Sequence, residues 1–170
     1  NAKAIFSSPY DIALGNPKHG VYEAAKEGRA IIRDNARKMG VTAPLVNTVS
    51  LPIGAGEVSV MEHSASYSVF ANGGKRVYTH AAIEIRNSKG DLIYKFDGDG
   101  KQPERVFPEQ AIVLMNSMLT KVVEEGTARR AILPGIKVGG KTGTTNGYKD
   151  AWFCGFTANL NGCVWFGNDD

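Results

Sequence analysis

The sequence feature that most constrains this chain is the stretch Gly139–Thr145, which reads Gly-Gly-Lys-Thr-Gly-Thr-Thr. Its three glycines carry no Cβ, so a ligand could lie against the main chain there. Lys141 supplies a compact positive charge, and the three threonines supply hydroxyls that donate and accept hydrogen bonds. This combination suits an anionic group, either a carboxylate or a phosphate. A glycine-rich turn with solvated threonines is the simpler interpretation, and the neighbouring residues decide between the two.

Residues 135–142 match the P-loop pattern G-x-x-x-x-G-K-[ST] to the letter. That pattern cradles phosphate only where a buried strand leads into the start of a helix. Upstream, residues 131–134 are too few for such a strand and end in proline. Downstream, residues 143–147 have the composition of a turn. We therefore do not expect a nucleotide-binding loop here.

The residues around Lys141 instead favour an antiparallel meander. Residues 136–138 are extended in character, and Asn146-Gly147 is a strong hairpin signal. An aromatic-rich strand is predicted at 151–158, followed by a turn at 159–162 and a third strand at 163–167. A lysine on such a strand is the context of the K-T-G motif in the penicillin-interacting serine enzymes.

The composition is that of one soluble globular domain. The chain has 170 residues, of which 42% are hydrophobic and 22% charged, and a net charge of +3. Its lysines and arginines are spread out, so we expect no nucleic-acid partner. No apolar run approaches the roughly 18 residues of a membrane span, so any membrane attachment would come through a segment absent from this sequence.

The chain contains two cysteines, Cys154 and Cys163. A turn at residues 159–162 would pair Ala158 with Cys163 and would send Cys154 towards Gly167. The sequence therefore predicts two separate thiols that act as small core residues.

No metal and no cofactor is predicted. The three histidines, His19, His63 and His80, are far apart, and none stands at ligand spacing with a cysteine or a carboxylate. The acidic stretch at residues 97–100 lacks the length and the glutamate of an EF-hand loop, so we expect a solvated loop there.

Three amphipathic helices are predicted. The first runs from Val21 to a stop at Gly40. The second begins with a capping box at Ser59 and ends at residues 72–74. The third begins with Pro108 as its first helical residue and ends near Glu125.

A strand at residues 75–86, a turn at 87–90 and a return strand at 92–96 form a predicted hairpin between the second and third helices. Together with the meander, these elements predict an α+β domain, in which helices flank an antiparallel sheet.

Several blocks in the same order carry a family resemblance. They are Phe70–Gly74, Val122–Ala128, Gly140–Asn146, Lys149–Phe153 and Val164–Asp170. From about Ala36 to Asp170 the chain resembles the C-terminal portion of the transpeptidase domain of class A, high-molecular-mass penicillin-binding proteins. Residues 1–35 match poorly. The resemblance implies the serine β-lactamase and D,D-peptidase fold in an incomplete form.

The resemblance also implies a site and a location. In that family a serine attacks the D-alanyl-D-alanine end of a peptidoglycan stem peptide, or a β-lactam that mimics it. Lys141 would polarise the site and help to move protons, and the N–H of Thr144 would donate to the oxyanion. Thr142 and Thr144 would hold the substrate carboxylate, with Gly143 and Thr145 as further substrate-binding residues. The resemblance implies extracytoplasmic work, in the periplasm or on the cell-wall side of the inner membrane.

The sequence departs from the family in two motifs. It contains no Ser-x-x-Lys, which holds the nucleophile, and no Ser-x-Asn. It also stops at Asp170, where the family continues into a helix that covers the sheet. We therefore expect a partial transpeptidase domain that carries one of three catalytic motifs. A non-catalytic binding or scaffold module that retains the K-T-G cleft is the alternative, and the residues do not separate the two.

Overall fold

The computed structural model of the chain describes residues 26–97 and 102–168. Two α-helices come first in this part of the chain, followed by four short strands, a third α-helix and three longer strands. The helices are α1 (Lys26–Lys38), α2 (Val60–Ala71) and α3 (Glu109–Glu124). The strands are β1 (Lys75–Arg76), β2 (Glu84–Arg86), β3 (Leu92–Lys95), β4 (Glu104–Arg105), β5 (Gly139–Thr144), β6 (Asp150–Phe156) and β7 (Asn161–Gly167).

The strands form three antiparallel groups. β5, β6 and β7 make a meander in that order, β2 pairs with β3, and β1 pairs with β4. The predicted α+β architecture is confirmed. Lys141 lies inside β5, and the chain continues from this strand through a turn into β6. The P-loop interpretation is therefore excluded, because no helix begins at Lys141.

The predicted strand at residues 75–86 is wrong as a single element. The structure divides it into β1 and β2 because the two parts have different partners. Lys75 is paired with Arg105, whereas Ile85 is paired with Tyr94. The hairpin turn that follows at residues 87–90 is confirmed, with the Gly90 N–H donating to Asn87 O at 3.0 Å.

α1 ends where the sequence predicts. Gly40 has a φ of 100°, a left-handed conformation that glycine adopts without steric cost. The N-terminal part of the predicted helix, residues 21–25, lies outside the described residues. Within α1 the Arg29 side chain is 1% exposed, and its Nε donates to Asn47 Oδ1 at 2.5 Å. This bond ties the helix to the loop that leads to α2.

The predicted capping box starts α2. Ser59 Oγ accepts a hydrogen bond from the Glu62 N–H at 3.2 Å. The Glu62 carboxylate in turn accepts from the hydroxyl of Thr42 and, at 2.8 Å, from the Thr42 N–H. These bonds lower the pKa of Glu62, and the bond from the Thr42 hydroxyl has the largest effect. The cap therefore also fastens α2 to the chain that follows α1. The helix ends at Ala71 with Asn72 as its C-cap, so the predicted stop at residues 72–74 is confirmed.

Helices cover both faces of the meander. On one face, the ring of Phe70 in α2 stacks on Phe156 of β6 at 6.1 Å between centroids. On the other face, Val123 of α3 packs in a buried cluster with Ala128 and Val138, against which Phe153 of β6 packs. α3 begins one residue later than predicted, with Pro108 as its N-cap. Among the described helices, none combines the length and apolar character of a membrane span.

The prediction of two separate thiols is wrong. Cys154 of β6 and Cys163 of β7 lie directly opposite each other, with Cα atoms 4.1 Å apart, and form a disulfide. The turn between the strands is earlier than predicted, at residues 157–160. The Thr157 N–H donates to Leu160 O at 2.8 Å, and Thr157 Oγ1 accepts from the Leu160 N–H at 3.1 Å. This hydroxyl-stabilised turn lies two residues earlier than predicted, which shifts the strand pairing by four residues and places Cys154 opposite Cys163 instead of Gly167.

Candidate active site

The side chains of the K-T-G strand β5 alternate between the two faces of the meander. Lys141 is paired with Cys154, on the face that α2 covers. Thr142 is paired with Phe153, on the face that packs against the buried cluster of Val123, Ala128 and Val138, here called the α3 cluster. Successive residues of a strand point to opposite faces, so Thr144 shares the face of Thr142. The predicted site residues are therefore not all on one side of the sheet.

One edge of β5 faces β6, and the other has no strand paired with it among the described residues. The Thr145 N–H donates to Asp150 O at 3.1 Å, so it points towards β6. Backbone groups alternate in direction along an antiparallel strand. The N–H and C=O groups of Thr144 and Thr142 therefore point to the unpaired edge. The exposed Thr144 residue presents a backbone donor there.

The Lys141 ammonium lies at the same unpaired edge. The side chain is exposed, and its Nζ donates to the carbonyl oxygen of Thr142 at 2.7 Å. Because that carbonyl points away from β6, the cation folds over the edge of its own strand. The structure thus brings Lys141 and the Thr144 N–H to one edge, although their side chains begin on different faces.

Two of the three predicted threonine hydroxyls bond to other residues of the chain. Thr142 Oγ1 lies 2.7 Å from Thr127 Oγ1, in the segment after α3. Thr145 Oγ1 donates to Asp150 Oδ2 at 2.9 Å and accepts from the Asp150 N–H at 2.9 Å. The Thr144 hydroxyl makes no hydrogen bond to another of the described residues. Thr144 is therefore the threonine of β5 whose hydroxyl and N–H both remain open to a ligand.

Glycines at the start of β5 have a different role from the one predicted. Gly139 and Gly140 are buried, and the aromatic rings of β6 lie over them. A Cβ would lie 2.7 Å from Phe156 Cζ at Gly139, and 2.8 Å from Phe153 Cζ at Gly140. These two glycines make room for the core and not for a ligand. Gly143 is half-buried, next to the Trp152 side chain.

The layer behind Gly143 is aromatic. Trp152 is paired with Gly143, and its ring contacts His63 of α2 edge-on at 5.4 Å between centroids. Burial lowers the pKa of His63, which favours the neutral imidazole. The contact between His63 and Trp152 supports β5 from the face covered by α2, and a neutral His63 adds no second positive charge to that of Lys141. Among the described residues, no group of three metal-ligating side chains comes together.

Sequence reasoning missed three residues that shape this edge, namely Thr127, Asp150 and Trp165. Asp150 directly opens β6, and its Oδ1 accepts from Trp165 Nε1 at 2.9 Å. An aspartate at a strand start beside a Thr-rich turn is a usable signal, because short polar side chains commonly bond to nearby turn residues. Nothing in the local sequence indicates the Thr127 contact, which depends on how α3 packs.

Comparison with known proteins decides the family. A model of the penicillin-binding protein transpeptidase domain matches residues 14–167. The chain belongs to the penicillin-binding protein transpeptidase domain family. Penicillin-binding protein 1A of Neisseria flavescens is 39% identical over 126 residues, which are 72% of this chain and 16% of the relative. Penicillin-binding protein 4 of Bacillus subtilis is 32% identical over 109 residues, or 64% of this chain and 17% of the relative.

Solved structures agree on the fold of this transpeptidase domain. Penicillin-binding protein 1A from Haemophilus influenzae superposes with a TM-score of 0.75 at 23% identity, over 88% of this chain and 28% of that one. PonA1 from Mycobacterium tuberculosis superposes with a TM-score of 0.71 at 19% identity, over 88% and 44%. The fold and the class A resemblance expected from the sequence are confirmed. The chain spans about one sixth of the curated relatives that it matches.

Proposed function

We propose that this chain forms the K-T-G side of a D,D-transpeptidase site, which cross-links peptidoglycan stem peptides by serine acyl transfer. The observation that carries the proposal is the unpaired edge of β5, where the Lys141 ammonium and the Thr144 N–H are found together. An extended D-alanyl-D-alanine end could lie along such an edge as an added strand. Membership of the transpeptidase family supports the same reading.

The proposed roles follow from charge and hydrogen-bond direction. Lys141 attracts the terminal carboxylate of the peptide, or that of a β-lactam, and polarises the site for proton movement. The Thr144 N–H donates to the carbonyl oxygen that becomes an oxyanion, and one such donor is typically worth about 3 kcal/mol in the transition state. The Thr144 hydroxyl contacts the carboxylate. Gly143 leaves the strand open beside it.

The nucleophile is not among these residues. The chain contains no Ser-x-x-Lys motif and no Ser-x-Asn motif. A serine hydroxyl without a positioned base keeps its ordinary high pKa and is a poor nucleophile. Acyl transfer in this proposal therefore needs a Ser-x-x-Lys segment that this sequence does not contain, and the chain itself contributes binding and oxyanion stabilisation.

The partners are peptidoglycan stem peptides and β-lactams. A solved structure of the related PonA1 from Mycobacterium tuberculosis is a complex with penicillin V, at a TM-score of 0.70. The disulfide between Cys154 and Cys163 suits an oxidising compartment, since such bridges are rare in the reducing cytosol. Both observations support work outside the cytoplasm, where peptidoglycan is cross-linked.

Reversible binding to the chain tests the proposal. We expect benzylpenicillin and an N-acyl-D-alanyl-D-alanine peptide to shift the NMR amide signals of Gly143 and Thr144. Replacing Lys141 with alanine should weaken binding about tenfold, since loss of one exposed charge-assisted contact costs about 1.4 kcal/mol. Lys149→Ala, an exposed lysine in the loop after β5, is the matched control and should change affinity less than about twofold.

Two results would reject this function. One is the absence of shifts at Gly143 and Thr144 with either probe at millimolar concentration. The other is an equal loss of affinity in Lys141→Ala and Lys149→Ala, which would indicate a general charge effect and not a site at the β5 edge.

A further inference from the structure

Asp150 makes four hydrogen bonds at the point where β5 ends. Three of them join it to Thr145. Its Oδ2 accepts from Thr145 Oγ1 at 2.9 Å, its N–H donates to the same oxygen at 2.9 Å, and its carbonyl accepts from the Thr145 N–H at 3.1 Å. The fourth runs from Trp165 Nε1 of β7 to Asp150 Oδ1 at 2.9 Å. One carboxylate of β6 thus bonds both to β7 and to Thr145, the residue that directly follows β5.

The loop that Asp150 closes has an unfavourable backbone. Between β5 and β6, both Gly147 and Tyr148 have positive φ, at 75° and 59°. The left-handed region is uncommon for a residue with a side chain. Tyr148 is also 88% exposed, so its ring contributes little packing to hold the loop. The hydrogen bonds between Thr145 and Asp150 therefore hold the two ends of this loop together.

The hydrogen bonds of Thr145 leave it unsuited to bind an anion. The single hydroxyl proton points to Asp150 Oδ2, and one lone pair accepts from the Asp150 N–H. A carboxylate ligand needs donors, and this hydroxyl has no proton left to offer. A ligand could recruit it only by displacing a bond to an ionised acceptor, and such charge-assisted bonds are the stronger kind.

Thr145 does determine the geometry of its neighbour. It directly follows Thr144, whose N–H and hydroxyl face the proposed ligand. Gly143, on the other side of Thr144, is held by its pairing with Trp152. The direction of the Thr144 backbone is therefore fixed from both sides, by Trp152 through Gly143 and by Asp150 through Thr145.

We propose that Asp150 is a positioning residue, which acts through Thr145 to hold Thr144 in register at the ligand-binding edge, and that Thr145 does not itself contact the ligand. The ligand part of this inference rests on the proposed function. The positioning part concerns the free protein and can be tested without a ligand.

The decisive variants are Thr145→Val and Thr145→Ser. Valine keeps the branched shape and removes the hydroxyl, whereas serine keeps the hydroxyl. In the free protein, we expect Thr145→Val to speed hydrogen exchange of the residue 145 amide at least about tenfold, and to displace the NMR signals of the Thr144 amide and the Trp165 indole. With the N-acyl-D-alanyl-D-alanine peptide, affinity should fall about tenfold, which corresponds to 1.4 kcal/mol. Thr145→Ser should restore all these properties to near those of the native chain.

Asp150→Ala supplies an independent check through a double-mutant cycle. If the aspartate acts through Thr145, then combining Asp150→Ala with Thr145→Val should weaken peptide binding little more than either change alone. All comparisons are made at a temperature where each variant is fully folded by circular dichroism. Where Asp150→Ala does not fold, the valine and serine pair decides the question.

Three outcomes would overturn the inference. The first is unchanged exchange of the residue 145 amide in Thr145→Val, which would remove the positioning role whether or not a ligand binds. The second is native peptide affinity in that variant. The third is an equal defect in Thr145→Ser, which would mean that the hydroxyl is not the group that matters. If the native chain binds neither probe, the proposed function fails, and the exchange measurement still decides the positioning role.

Discussion

Replacing Gly140 with alanine is expected to lower the free energy of unfolding by about 3 kcal/mol, at the upper end of the usual cost of overpacking. The new Cβ would lie 2.8 Å from Cys154 O and 2.8 Å from Phe153 Cζ. Ordinary carbon contacts begin near 3.5 Å. The Phe153 ring could rotate aside only by disturbing the α3 cluster, and the carbonyl belongs to the neighbouring strand β6. Equilibrium unfolding in urea measures the loss.

The same row of the sheet supplies the control. Gly140, Gly155 and Gly162 lie side by side across β5, β6 and β7. At Gly162 a Cβ would meet no atom within 4 Å. Gly162→Ala should therefore be neutral or stabilising by up to about 1 kcal/mol, because alanine loses less backbone freedom on folding. Equal losses in the two variants would show that Phe153 does not cover Gly140 as described.

Reducing the disulfide between Cys154 and Cys163 is expected to lower the free energy of unfolding by about 2–3 kcal/mol, the amount predicted for a bridge that closes a loop of about ten residues. The two cysteines are nine positions apart, and the bridge joins β6 to β7 beside Lys141. Cys154 is 1% exposed, so the freed thiol would remain in the core. Urea unfolding with and without a thiol reductant measures the effect.

The matched control is the double variant Cys154→Ala, Cys163→Ala. It should unfold at a lower urea concentration than the oxidised native chain, and its midpoint should not respond to the reductant. Mass spectrometry confirms that the reductant has fully reduced the native chain. If the urea midpoint of that chain is then unchanged, the stabilising role of this bridge is contradicted.

The meander could be predicted from the sequence, but its register could not. Strand alternation and turn residues predicted three consecutive antiparallel strands, although β6 ends at Phe156 and β7 begins at Asn161, both earlier than predicted. The Asn-Leu-Asn-Gly run at residues 159–162 has the composition of a turn, yet Gly162 lies inside β7. The Thr157 hydroxyl accepts from two backbone amides and fixes the turn earlier. The Thr157 side chain thus moved the turn by two residues and the pairing of β6 with β7 by four, and this places the two cysteines opposite each other.

The sequence predicted which residues form the candidate site, and the structure showed to which face of the sheet each of their side chains points. The sequence around Lys141, taken together with its neighbouring residues, predicted an anion site at this lysine and its three threonines. It could not show that Thr142 and Thr144 share a face that Lys141 does not. Nor could it show that the Thr142 hydroxyl bonds to Thr127 and that the Thr145 hydroxyl bonds to Asp150. Those facts depend on the packing of α3 and the pairing of β6.

We propose that the chain carries a binding edge for penicillin and D-alanyl-D-alanine but no activated nucleophile. Intact-mass spectrometry of the purified chain after incubation with benzylpenicillin tests it most directly. We predict an unmodified mass, under conditions where the Thr144 amide signal shifts and returns when the penicillin is dialysed away. A stoichiometric covalent adduct on any serine would contradict this account, because it would require an activated serine that neither Ser-x-x-Lys nor the residues around Lys141 provide.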